Sequence, residues 1–176
     1  DAGPATCGSV MMPCPWSAEA AAMAQARPNV DLGVHLTLNA ECDGYRWGPV
    51  AGRTAVPTLV DEAGYFFRTS RETVKSGSVD DVRAELRAQV DAALDGGIDV
   101  THLDSHMGTV FHPKFFDVYL GLGREYQLPL FLPRVEELRA DPEGFTVFDG
   151  YDADSLGFGP DEGVEHNVRR ISELGA

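Results

Sequence analysis

Apolar and polar residues alternate most regularly over residues 30–38, which read VDLGVHLTL. The even-numbered positions are apolar, whereas Asp31, Gly33, His35 and Thr37 occupy the odd-numbered ones. Successive side chains of a strand point to opposite faces, so this pattern predicts a strand with one buried face and with His35 on the other. Shorter apolar runs bounded by turn residues predict three more strands, over residues 6–12, 98–106 and 128–132.

Stretches with helical periodicity separate these strands. Ser17 is expected to cap a helix over residues 18–26, and Ser78 a second helix that ends at Gly-Gly. Pro113 opens a third helix, and residues 161–174 have the amphipathic pattern of a fourth. The buried stripes predicted for the second and third helices are Val82, Leu86, Val90 and Leu94, and Phe115, Val118, Tyr119, Leu122 and Tyr126.

This alternation of short strands with helices is typical of parallel β-α units, arranged either as an open doubly wound sheet or as a barrel. The 176 residues contain no internal repeat or linker, so we expect one domain over residues 1–176. Residues 40–77 are irregular and are expected to form a hairpin or a loop over a site. In parallel α/β folds the functional groups gather at the carboxyl ends of the strands.

Charge narrows the range of partners. The chain carries 28 Asp and Glu against 14 Lys and Arg, a formal net charge of -14. Nucleic-acid binding depends on clustered basic side chains, and an anionic membrane surface would repel this charge. We therefore expect a cytoplasmic protein with a small-molecule partner and with neither nucleic acid nor membrane as a partner. Oligomeric state stays open, with a homodimer among the alternatives.

The histidines provide the main chemical clue. His102, Asp104 and His106 alternate along the strand at 98–106 and so share one face, and His35 could meet them from the neighbouring strand. Two imidazoles and a carboxylate form the ligand set of a catalytic divalent metal ion, which activates water for amide or ester hydrolysis. His106, at the strand end, is the better ligand candidate. His102 is expected deeper in the fold, with a structural or supporting role.

Several assignments stay open at this point. Asp104 could be a ligand, a carboxylate that orients a ligand imidazole, or an N-cap for the following loop. His112 and His166 are expected to be surface residues. Arg134 follows a predicted strand and is a candidate for substrate binding, with a surface salt bridge as the alternative. Trp16 could stack on a sugar ring or pack in the core.

Residues 31–38, DLGVHLTL, and residues 101–106, THLDSH, resemble motifs of the YdjC-like carbohydrate deacetylase family, which includes the chitin-disaccharide deacetylases. The resemblance implies a distorted β/α (TIM-like) barrel with parallel strands and a divalent metal ion, magnesium or zinc. It also implies hydrolysis of an N-acetyl group from an amino sugar or oligosaccharide. Carried over by position, the metal histidines are His35 and His106.

The chain departs from this family pattern in two places. The family begins with a strand that ends in an Ala-Asp-Asp type motif, which supplies a metal carboxylate and the general base. This chain starts after that strand, so we expect the catalytic aspartates upstream of it and natural sequence beyond both of its ends. Residues 107–111, MGTVF, replace further histidines of the chitin-disaccharide members, so substrate specificity does not transfer with the reaction.

Two other functions remain alternatives. One is a different metal-dependent hydrolase on the same barrel, acting on another amide or on a phosphoester. A phosphate substrate would call for convergent Arg and Lys, of which Arg134 is the one clear candidate. The other is a non-catalytic, carbohydrate-binding homologue that uses the cleft for binding alone.

Overall fold

Three parallel strands form the centre of the structure, a computed structural model that describes residues 7–133, 147–148 and 159–174. They lie in the order β1-β2-β3, with β2 in the middle. The parallel α/β class predicted from the sequence is thus confirmed. The strands are β1 (Cys7–Val10), β2 (Asp31–Leu36) and β3 (Val100–Ser105), and the helices are α1 (Ser17–Gln25), α2 (Ser70–Ser76), α3 (Val79–Asp95), α4 (Pro113–Tyr126) and α5 (Pro160–Leu174).

The sheet has one apolar and one polar face. Val34, Leu36 and Leu103 are fully buried in the hydrophobic core that also contains the inner stripes of α3 and α4. On the opposite face, His35 stands beside Asp104, its Cα partner in the register of β2 with β3. The alternation read from residues 30–38 therefore assigned the two faces of β2 correctly.

Beyond β3 the sheet continues as a short irregular edge. The Leu103 amide donates to the Pro129 carbonyl at 2.9 Å, and the Phe131 amide donates to the Leu103 carbonyl at 2.9 Å. Of the strand predicted over residues 128–132, this bridge and β4 (Leu132–Pro133) are present, and β4 pairs in parallel with β5 (Val147–Phe148). The described strands form open sheets and do not close a barrel among themselves.

The helices follow the predicted pattern with a few differences. Ser78 caps α3 by accepting from the Asp81 amide, and Pro113 is the first residue of α4. Ser17, the predicted cap, is instead the first residue of α1. Trp16 occupies the N-cap position, and its side chain makes no capping hydrogen bond. Leu94 is 45% exposed and so lies outside the buried stripe, in the last turn of α3.

The segment over residues 40–77 is more ordered than its composition suggests. It contains an antiparallel bridge between Val60 and Phe66, as a hairpin would, and the helix α2, which the sequence reading missed. Thr69 caps α2 in a reciprocal capping box with Glu72, which stabilises so short a helix. Within the described residues, no helix has the length and apolar character needed to cross a membrane.

Two polar side chains of α3 are buried and hold the chain that leaves β2. The Gln89 side-chain amide pairs with both backbone groups of Thr37, accepting from the amide at 2.9 Å and donating to the carbonyl at 2.7 Å. Glu85 accepts from the Val50 and Ala51 amides at 3.0 and 2.9 Å and from Gln89. Burial raises the pKa of Glu85 from 4.5 to about 7, although these three bonds lower it.

The raised pKa of Glu85 makes stability depend on pH. The folded protein holds this proton more tightly than the unfolded chain, so its stabilising contribution is complete below pH 4.5 and is lost as pH rises through about 7. Between pH 5 and pH 8 we expect the free energy of unfolding of the wild type to fall by about 2 kcal/mol relative to Glu85→Gln. Urea unfolding followed by circular dichroism measures both proteins. Glu62→Gln, at an exposed position, is the matched control, and parallel pH profiles for wild type and Glu85→Gln would contradict the prediction.

Candidate functional site

The candidate site lies at the carboxyl ends of the parallel strands, on the polar face of the sheet. His35 Nδ1 on β2 lies 2.7 Å from Asp104 Oδ1 on β3. Ser9 on β1 donates from Oγ to Asp104 Oδ2 at 2.9 Å, and this hydroxyl is 3.3 Å from His35 Nδ1. Each of the three strands thus contributes one side chain to a single hydrogen-bonded cluster.

The bond to Asp104 fixes the tautomer of His35. A carboxylate oxygen can only accept, so we assign the ring proton to Nδ1 and the lone pair to Nε2. This is the arrangement of metal-binding histidines, whose second nitrogen donates to a carboxylate or carbonyl. Of the three roles open to Asp104, the geometry therefore favours that of a carboxylate orienting the His35 ring.

His106 follows β3 directly and faces the same cluster. Its ring centroid lies 5.3 Å from that of His35, and its side chain is 14% exposed. Its Nε2 is 2.9 Å from Glu41 Oε2, and Trp47 packs edge-to-face against it with centroids 6.3 Å apart. The two histidines proposed as metal ligands thus lie side by side, 71 positions apart in the sequence.

The two rings fit part of a metal site. Imidazole nitrogens bind zinc at about 2.0–2.1 Å, and a separation of 5.3 Å between the ring centroids is compatible with both rings binding one ion. Within the described residues no group of three or more His, Cys, Asp or Glu side chains could hold an ion. If His35 and His106 bind an ion, the described residues do not complete the ligand set, and Glu41 would have to release His106 Nε2 for that nitrogen to bind.

A buried polar cluster holds the turn that carries His106. After His106 the backbone takes left-handed conformations at Met107 and Gly108, with φ of 54° and 64°. Thr109, fully enclosed below them, donates to Asn39 Oδ1, whose side-chain amide donates to Thr73 Oγ1 at 2.9 Å. These bonds join the turn after β3 to the segment after β2 and to α2.

His102 lies apart from the paired histidines. Its Nδ1 is 2.9 Å from Thr101 Oγ1, and its ring covers Gly33 on β2. A Cβ at position 33 would lie 2.5 Å from the His102 carbonyl oxygen and 2.6 Å from its imidazole, so this contact requires glycine. His102 and Asp104 line a cavity of about 540 Å³ on this face of the sheet, together with Leu130 and Phe131. The prediction that His102 lies deeper in the fold is wrong, because its side chain is 23% exposed whereas that of His106 is 14% exposed. The supporting role of His102 stays a prediction.

The remaining candidates are His112, His166, Trp16 and Arg134. His112 is exposed and caps α4 by accepting from the Lys114 amide, as a surface residue would. His166 lies on α5, with Nδ1 3.4 Å from an Arg169 nitrogen. Trp16 is 68% exposed, so the core-packing alternative for it is wrong. Arg134 lies outside the described residues.

Sequence reasoning missed several residues that the structure brings to the site. Glu41 and Trp47 come from the irregular segment and contact His106 across some sixty positions, a separation that local periodicity does not address. Asn39 is fully buried although it is polar. Ser9 lies in the middle of the strand predicted over residues 6–12, and its register with β2, where it pairs with Gly33, brings it to the site.

The site and fold define a parallel α/β protein with paired histidines at the carboxyl edge of its sheet. A family model described as YdjC-like protein matches residues 1–166, and the chain belongs to that family. The chain is 29% identical over 143 residues to a carbohydrate deacetylase of Thermoanaerobacter pseudethanolicus. This alignment covers 81% of this chain and 55% of that protein. The chain is 36% identical over 145 residues to a carbohydrate deacetylase of Thermus thermophilus. This alignment covers 74% of this chain and 51% of that protein.

A solved structure is similar over much of the same region. It comes from Enterococcus faecalis V583 and is described as a proposed cellobiose-phosphate cleavage protein. The TM-score is 0.74 at 30% sequence identity, covering 88% of this chain and 62% of that one. The chain thus spans about half the length of the curated relatives named above and less than two thirds of this structure.

The cluster beneath the His106 turn can be tested with an isosteric substitution. Thr109→Val removes the hydroxyl and leaves Asn39 Oδ1 buried without that donor, so we expect the free energy of unfolding to fall by about 1–3 kcal/mol. The histidine NMR signals of His106 should shift as its turn relaxes. Thr109→Ser keeps the hydroxyl and is the matched control, expected to leave the His106 signals in place. Wild-type stability and unshifted His106 signals in Thr109→Val would contradict the prediction.

Proposed function

We propose that the protein is a metal-dependent hydrolase that removes an N-acetyl group from an amino sugar or oligosaccharide. The observation that carries the proposal is the pair His35 and His106, with Asp104 bound to His35 Nδ1 so that Nε2 keeps its lone pair. Family membership and the relatives described as carbohydrate deacetylases support the amide-hydrolysing class and the substrate class.

In the proposed reaction, water adds to the acetyl carbonyl and the C–N bond breaks, releasing acetate and the free amine. His35 and His106 would hold a divalent ion, zinc or magnesium, together with a carboxylate that the described residues do not supply. Such an ion lowers the pKa of bound water and polarises the carbonyl. Asp104 keeps the His35 ring in one tautomer and orientation, and Ser9 holds Asp104 in turn.

The wider architecture is also part of the proposal. We expect residues 1–176 to belong to one domain that closes, with further strands, into a distorted β/α (TIM-like) barrel. The polar face of the present sheet and the cavity of about 540 Å³ above it would then lie inside that barrel. Ser9, His35 and Asp104 stand at the carboxyl ends of parallel strands, where barrel enzymes place their catalytic groups.

A second candidate is a metal-dependent hydrolase for a phosphorylated sugar, suggested by the description of the similar Enterococcus faecalis structure. An anionic phosphate would favour converging cationic side chains. The described partners of the two histidines are instead carboxylates, Asp104 and Glu41, and the Arg68 guanidinium binds the Asp43 carboxylate at 2.5 Å. The deacetylase is therefore the better-supported proposal, with Arg134 as a proposed contact to substrate.

The histidine pair gives the direct test of this proposal. We expect His35→Ala and His106→Ala each to abolish stoichiometric zinc binding in calorimetric titration and acetate release from N-acetylglucosamine or its β-1,4-linked disaccharide. His112→Ala, a histidine that caps α4 away from the pair, is the matched control and should change neither. Acetate release that persists in the His106→Ala variant would contradict the assignment of His106 as a metal ligand.

Asp104→Asn separates orientation from ligation. Both histidines remain, but the amide no longer provides the carboxylate charge that favours the Nδ1–H tautomer, so metal affinity should weaken by about 10–100-fold without being lost. Calorimetric titration distinguishes this partial loss from the complete loss expected of the histidine variants. An Asp104→Asn protein that binds zinc as tightly as the wild type would argue against the orienting role.

A further inference from the structure

We propose that Tyr45 is the sugar-stacking platform of the candidate site, holding the apolar face of a pyranose ring beside the paired histidines. The inference deepens the proposed function and rests on it. It assigns a specificity role to the irregular segment between β2 and α2, because that segment contributes the aromatic wall next to His106.

A continuous series of ring contacts connects Tyr45 with the histidine pair. The Tyr45 ring meets Trp47 edge-to-face, with centroids 5.9 Å apart and planes at 61°. Trp47 in turn meets His106 at 6.3 Å, and His106 meets His35 at 5.3 Å. Trp47 is 5% exposed whereas Tyr45 is 41% exposed, so Tyr45 is the member of this wall that a ligand can touch.

The backbone that carries Tyr45 is fixed by its neighbours. Arg46 forms an ion pair with Asp61 at 2.6 Å and donates to the Phe66 carbonyl, and the Phe66 amide donates to the Trp47 carbonyl at 3.1 Å. Favourable pairing with Arg46 and backbone amides lowers the pKa of Asp61 against the effect of its burial, so this carboxylate stays charged. A loop held in place before the ligand arrives loses little conformational entropy on binding.

The chemistry of the exposed ring suits a sugar. A pyranose has an apolar face of C–H groups and a polar rim of hydroxyls, which match the apolar body and the polar tip of a tyrosine. Tyr65 offers a comparison, since it is also 41% exposed and lies in the same irregular segment. Its ring faces the Arg46 guanidinium at 5.2 Å and has no place in the ring series leading to His106.

Substitution at these two tyrosines tests the platform. With the β-1,4-linked disaccharide of N-acetylglucosamine as probe, we expect Tyr45→Ala to raise KM about tenfold while kcat changes less than twofold. Tyr45→Phe keeps the stacking face and should stay close to the wild type. Tyr65→Ala is the matched control and should not change KM. The small acetamide N-acetylethanolamine has no sugar ring, so its acetate release should be equal in wild type and Tyr45→Ala.

The outcomes separate this inference from the proposed function. If Tyr45→Ala binds and turns over the disaccharide like the wild type, the platform is wrong even though the deacetylase stands. If the wild type releases no acetate from either compound, the deacetylase fails, and calorimetric binding of the disaccharide decides the platform alone. Binding that weakens about tenfold in Tyr45→Ala but not in Tyr65→Ala supports it, and binding that is absent or indifferent to Tyr45 overturns it.

Discussion

The register between β2 and β3 is the constraint on which the whole candidate site depends. Parallel pairing places His35 opposite Asp104 and brings His106, two positions further along, to the edge where His35 stands. A shift of one residue would turn one of these side chains into the apolar face. Fully buried Val34, Leu36 and Leu103 on the reverse face oppose such a shift, so core packing and site geometry are set by the same pairing.

Buried polar groups then fix the backbone segments that the strand register alone does not position. The chain leaving β2 is held by the Gln89 amide, and the turn after β3 is held by Thr109 and Asn39. In a low-dielectric interior a satisfied network of this kind specifies one arrangement, because any partner lost leaves a costly unpaired group. Strand β2 and the turn after β3, some seventy residues apart in the sequence, can thus present His35 and His106 at a fixed separation.

The local sequence pattern was sufficient to predict the strands and helices whose apolar residues recur at regular short intervals. Strict alternation placed His35 on the polar face of β2, and the Ser78 cap and Pro113 marked the starts of α3 and α4. It failed for α2, whose seven residues are too few for a helical stripe and which depends on its Thr69 cap. It also failed for Glu85 and Asn39, because a polar residue becomes a core residue only when distant partners satisfy it.

Motifs and strand geometry were sufficient to predict the two site histidines, but not the residues that surround them. The contacts of His106 with Glu41 and Trp47 join segments that no periodic signal relates. These contacts decide how the site is shaped: Glu41 occupies His106 Nε2, and Trp47 backs the exposed ring of Tyr45. The two short motifs thus predict the histidines of the site, whereas the shape of the site depends on a segment that has no motif.

We propose that the β2–β3 pairing builds one metal-binding site from His35 and His106. Anomalous diffraction from a crystal of the protein grown with zinc tests this proposal. We expect one strong zinc peak within bonding distance of both imidazoles, with His35 Nδ1 still bound to Asp104. A peak beside His102 or His166 with none at the pair, or His35 binding zinc through Nδ1, would contradict it.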